Sequence, residues 1–116
     1  QEFALEALLH DAAEAYLQDI PAPLKHLLPD YRAMEIRVDA AIRQKFGLPA
    51  EQHPTVKYAD LVMLASERRD FETDDGTVWP MLEGIIPTDQ FVINPVRPGQ
   101  AYGMFMNRFH QLMERR

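Results

Sequence analysis

Residues Leu8–Lys25 read LLHDAAEAYLQDIPAPLK, and the rest of the chain is organised around them. From Phe3 to Leu17 the positions are apolar or alanine on every side of a helical wheel, except for Glu6, His10, Asp11 and Glu14. Offsets of three and four residues share a helical face, so these four side chains form one ionisable stripe. A helix that is apolar all round belongs at a domain centre. One that is apolar except for such a stripe is a central helix with a site carved into it. Unpartnered carboxylates in that setting are costly, so the stripe calls for a cation.

Working outward, the apolar period predicts an all-α chain. The first helix is expected from Glu2 to Gln18, ended by Asp19-Ile20-Pro21, because the residue before a proline avoids the helical region. Pro21, Pro23 and Pro29 make a stiff turn with one short helical turn around Leu24–Leu28. A second helix, Asp30 to Phe46, presents Met34, Val38, Ala41, Ile42 and Phe46 as its inner face and stops at Gly47 and Pro49. A third runs from Thr55 to Arg69, with Pro54 suited to its first turn. Its inward residues are Val56, Ala59, Met63 and Leu64, with Asp60 among them. Phe71–Arg97 has no clean period and is expected to be a long irregular loop, with Trp79 as a packing plug and a short helix near Pro80–Gly84. Pro98 opens a last helix to Glu114 whose face is Tyr102, Phe105, Met106, Phe109, Leu112 and Met113, either core or a homodimer interface.

Composition narrows the function classes. A chain of 116 residues builds one domain, 1–116. The net charge of −6 argues against a duplex nucleic-acid binder, which needs a basic face. It leaves room for a small phosphorylated ligand if a metal supplies the positive charge. Without cysteine, any metal must take histidine and carboxylate ligands. No apolar run approaches the ~20 residues that span a bilayer, and no basic region precedes a signal-like stretch. A cytoplasmic protein without a membrane partner is the simplest reading.

Side chains of adjacent helical residues diverge by about 100°, yet His10 and Asp11 can converge on one ion beyond the helix surface. Glu14 then lies beside that ion without binding it. Asp60, a carboxylate among apolar neighbours, is the second anomaly. The two explain each other if Asp60 completes a His/Asp/Asp sphere for one divalent ion, and Mn, Co, Zn, Fe and Mg all accept such ligands.

HDAAEAYLQDIPAPLK followed by VKYAD resembles the HD-domain metal-dependent phosphohydrolases, in particular their small bacterial deoxynucleotidase-like branch. The matching features run from His10 to Asp60: the HD dyad, a glutamate three residues on, an aspartate before a proline-rich turn, a lysine after it, and the late aspartate. The resemblance implies a helical HD-domain bundle with His10, Asp11 and Asp60 as metal ligands. It also implies Glu14 as the catalytic acid/base and Asp19 next to the substrate. The reaction it implies is hydrolysis of a nucleotide phosphate ester, such as a deoxynucleoside 5′-monophosphate. The family pattern also carries a histidine on an earlier helix. No histidine precedes His10 here, and the expectation is that a helix bearing it belongs upstream.

Lys25 is the nearest cation in sequence for a substrate phosphate, ahead of Arg68 and Arg69. Blander readings stand beside these. Lys25 could be simply solvated, Asp19 could brace its turn, and Glu67–Asp70 could be a charge run on a solvated face. His26, His53 and His110 read as surface or loop residues. The rival functions are a nucleoside-triphosphate hydrolase of the same fold, a non-catalytic HD-like ligand-binding or interaction domain, and a structural helical domain with a salt-bridged polar core.

Overall fold

Proline sets where the long helices begin. In the computed structural model, which describes residues 2–116, α4 (Pro29–Lys45), α5 (Pro54–Asp70) and α6 (Pro98–Glu114) each start on one. The missing proline N–H falls where a helix would leave it unpaired anyway. Before them lie three short helices, α1 (Ala4–Leu9), α2 (Glu14–Leu17) and α3 (Ala22–Lys25), and a 3₁₀ turn at Pro80–Leu82 interrupts the long loop. The described residues include no strand, as the all-α reading requires.

Gly47 ends α4 with φ +63°. The Leu48 amide donates to the Arg43 carbonyl at 2.8 Å and the Gly47 amide to that of Gln44 at 3.2 Å, the paired bonds of a Schellman stop. His53 opens α5, its Nδ1 accepting from the Thr55 amide.

The expected helix over Glu2–Gln18 is broken. Between α1 and α2 the amides of Ala12, Glu14 and Ala15 donate three residues back, to Leu9, Asp11 and Ala12. The chain therefore tightens into 3₁₀-like turns. Gln18 then takes φ +63° and turns the chain toward Pro21.

The core forms where α1 crosses α6. Leu5, Leu9 and Leu112 are buried there, with Phe46, Leu48, Phe109 and Met113 packed against them. Phe46 meets Phe109 edge to face at 5.7 Å. Of the face expected on the last helix, the C-terminal half packs, while Tyr102 and Phe105 are exposed.

Two inner faces differ from expectation. On α4 the buried residue is Arg43, and Met34 and Ala41 face outward. At about 100° per residue, nine positions separate Arg43 from Met34 by half a turn, so burying one exposes the other. The reason is Glu6, 3% exposed in α1, whose Oε1 accepts from Arg43 Nη1 at 3.1 Å. A buried carboxylate left alone would cost several kcal/mol, which outweighs the burial of Met34. Met34, Val38, Ala41 and Ile42 instead line an open apolar groove with Tyr16. On α5, Val56, Ala65 and Ser66 are buried, while Ala59 and Met63 are exposed.

The end of α5 pins the long loop, so Glu67–Asp70 is more than a solvated charge run. Ser66 Oγ donates to the Val62 carbonyl at 2.7 Å and accepts from the Thr88 amide at 2.9 Å. Arg69 donates to the Thr88 carbonyl at 2.6 Å, and Asp70 accepts from the Ile93 amide at 2.8 Å. Arg68 donates to Asp74 and lies over the Trp79 ring, 4.4 Å from its centroid. Trp79 is thus a plug held by a cation–π contact.

Candidate metal site

The break between α1 and α2 shapes the site. In a 3₁₀ turn, residues three apart eclipse, so Asp11 and Glu14 come to the same side of the chain. His10 follows directly on α1, and its Nδ1 lies 2.7 Å from the Ala7 carbonyl, one of the oxygens a helix end leaves unpaired. A carbonyl only accepts, so Nδ1 carries the proton. In the neutral ring the Nε2 lone pair is then free to bind, and the ring is held in orientation.

That Nε2 points into the site. Asp11 Oδ2 lies 3.0 Å away and Asp60 Oδ1, from the first half of α5, lies 3.3 Å away. Yet Nε2 is buried and makes no hydrogen bond. Two carboxylate oxygens crowd a nitrogen without lying on its bonding axis. Ligands of one ion stand in this relation: atoms ~2.1 Å from a common centre are ~3.0 Å apart when octahedral and ~3.4 Å when tetrahedral. One donor atom from each of His10, Asp11 and Asp60 fits within 4.8 Å of the others. The donor set, the orphaned nitrogen and the spacing all fit a divalent cation. Three protein ligands would also leave coordination positions open to other donors.

The three residues open onto a cleft of about 280 Å³ bounded by α2, α3, α4 and α5. Asp60 is therefore a wall residue, its side chain 37% exposed, and not the core-directed carboxylate expected from its neighbours. Glu14 lines the same cleft, and burial, followed by the nearby charges of Asp11 and Asp19, pushes its carboxyl above the usual range. Lys25 is also there, but its ammonium pairs with Glu35 Oε2 at 3.0 Å and faces the Tyr31 ring. Asp19 is exposed beyond the lining, close enough for its charge to act on Glu14 and Lys25.

Glu6, the fourth member of the stripe, does not join the cluster. Its oxygen accepts from Arg43 and, at 2.9 Å, from the His53 amide, and Phe3 stacks on the His53 ring at 4.0 Å. Arg43 also donates to Asp39 Oδ2 at 2.9 Å and to the Pro49 carbonyl at 2.8 Å. The cation that the stripe called for is this guanidinium, and it serves Glu6. The sequence signal for Arg43 was the period Glu35, Asp39, Arg43, a polar stripe on an otherwise amphipathic helix. His53 is an exposed loop histidine, as expected, and also caps α5 within this network.

Comparison with known proteins gives one informative relative. The chain is 64% identical over 116 residues to the uncharacterized protein YfdR of Escherichia coli (strain K12). The match covers 100% of this chain and spans 65% of the length of that relative. No protein-family model matches the sequence. No solved structure matches it either. No described helix is long and apolar enough to cross a membrane.

Proposed function

We propose that this protein is a metal-dependent phosphohydrolase of the HD-domain type, acting on a nucleotide phosphate ester such as a deoxynucleoside 5′-monophosphate. The observation that carries the reading is the buried, unbonded His10 Nε2 flanked by Asp11 and Asp60 across 50 residues of sequence. The order of motifs from His10 to Lys25, and the late aspartate, support it independently of the geometry.

In this reading His10, Asp11 and Asp60 hold one divalent ion, drawn from Mn, Co, Zn, Fe or Mg. Bound there, the ion supplies Lewis acidity to water and to a phosphoryl oxygen. Glu14 takes the proton of the water that attacks phosphorus and returns it to the ester oxygen as the P–O bond breaks. A carboxyl raised by burial suits both halves of that exchange. Lys25 and Asp19 border the space that the substrate occupies, Lys25 from the cleft wall and Asp19 from its exposed edge.

The test is a hydrolysis screen over nucleoside mono- and triphosphates with added Mn, Co, Zn, Fe or Mg. Phosphate release that depends on a cation is expected, with the pattern of substrates separating a monophosphatase from a triphosphate hydrolase. Glu14→Ala should keep the metal and lose turnover by about 10²–10⁴-fold, while Asp60→Ala should lose both. Normal turnover in Glu14→Ala would overturn its role. Full metal retention in Asp60→Ala would overturn the site.

A further inference from the structure

The cleft has a charge problem that the three ligands do not solve. Five carboxylates line it against three cations, before a substrate phosphate adds its own negative charge. A divalent ion offsets part of this, and a cation on the wall beside the ion is placed to meet phosphate oxygens that the ion does not. All three cations have a carboxylate partner, and two of them are paired only with residues other than the candidate metal ligands. Arg43 is spent on Glu6, Asp39 and the Pro49 carbonyl, and Lys25 on Glu35. The third is Lys57, one turn before Asp60 on α5.

Lys57 differs from the others in what it touches. Its side chain is 59% exposed, and its Nζ lies 3.4 Å from Asp60 Oδ2, a long contact for a charge-assisted bond. Asp60 thereby divides its oxygens, Oδ1 toward His10 Nε2 and Oδ2 toward Lys57. An ammonium has three donors, so Lys57 can steady the ligand with one and keep two for an anion in the cleft.

We propose that Lys57 is the phosphate anchor of this cleft, its ammonium bridging the outer oxygen of Asp60 and the phosphoryl oxygens of the bound substrate. The inference rests on the phosphohydrolase reading above and adds to it the residue that binds the transferred group. Lys57, and not Lys25, is the lysine whose ammonium already lies beside a candidate metal ligand.

Isothermal titration of the full chain tests it, first with Mn and then with inorganic phosphate added to the Mn-loaded protein. Lys57→Met should weaken phosphate binding by about tenfold or more, the usual worth of a hydrogen bond to a charged group. Lys57→Arg should stay within about threefold of wild type, and both variants should bind Mn within about threefold. Because the side chain is exposed, neither substitution disturbs the fold. Wild-type phosphate affinity in Lys57→Met would overturn the inference alone. So would a tenfold loss of Mn binding with phosphate binding unchanged, since Lys57 would then only position Asp60. Wild-type protein that takes up none of Mn, Co, Zn, Fe or Mg in the same titration would overturn the phosphohydrolase reading, and this inference with it.

Discussion

Adding a divalent cation should raise the melting temperature of this protein, and Asp60→Asn should abolish the rise. The candidate ligands come from the turn after α1 and from α5, so an ion held there would cross-link two parts of the chain 50 residues apart and bind the folded state alone. At a free ion concentration a hundredfold above its Kd, linkage adds ~2.7 kcal/mol. A chain of 116 residues unfolds with an entropy of roughly 0.24 kcal/mol/K, taking ~2.1 cal/mol/K per residue. The two figures give a shift of about 11 °C. Asp60→Asn keeps the shape and removes an anionic ligand. Its effect on affinity should exceed the 10–100-fold typical of lost outer-sphere partners. At the same ion concentration the remaining stabilisation is then at most roughly 0.4 kcal/mol, a shift under about 2 °C. The assay is thermal unfolding followed by circular dichroism at 222 nm, with each of Mn, Co, Zn, Fe and Mg against a chelated control. A wild-type melting temperature unmoved by all five would refute the reasoning. The approach of Asp11 and Asp60 to His10 Nε2 would then be a side-chain cluster that holds no ion.

Two further predictions concern what holds the site in place. Arg43→Met leaves Glu6 buried without its cation and should cost about 3–5 kcal/mol in urea unfolding; pairing it with Glu6→Leu should restore most of the loss, and a single variant as stable as wild type would show that the pair does not orient α4. Asp70 is pulled down to about 2 by hydrogen bonds from Arg69 and from the Ile93 amide. A carboxylate lowered on folding stabilises above its unfolded pKa of about 4 and loses that contribution as pH falls through its folded value. Wild-type urea midpoints should therefore drop between pH 4 and pH 2 more steeply than those of Asp70→Asn, and parallel profiles would show that the loop clamp does not depend on this charge.

Much of the fold was legible because its signals are local. Prolines at 29, 54 and 98 start helices through their own fixed φ and missing donor, and Gly47 stops one through its positive φ. The boundaries of the three long helices follow within a residue or so. The inner faces were less legible. An apolar stripe shows that a helix has a greasy side, but not whether that side or the polar one meets the neighbour. On α4 the polar side won, because Glu6 arrived from α1 needing a guanidinium. The break at His10–Ala13 was hidden for a similar reason. Alanine-rich sequence favours a continuous helix, and nothing in the local composition signals the tighter turns that form there.

The candidate site divides along the same line. The sequence by itself determined which side chains are out of place: a histidine and three carboxylates in an apolar segment, and an aspartate among apolar residues fifty positions later. That follows from solvation, since a charge in greasy surroundings is costly wherever the chain goes. Only the tertiary structure decided how those charges are shared out, because pairing is a matter of distance between elements and not of spacing along one. It gave Glu6 to Arg43 and Lys25 to Glu35, brought Asp60 to 3.3 Å from His10, and set Lys57 on the cleft wall 3.4 Å from Asp60.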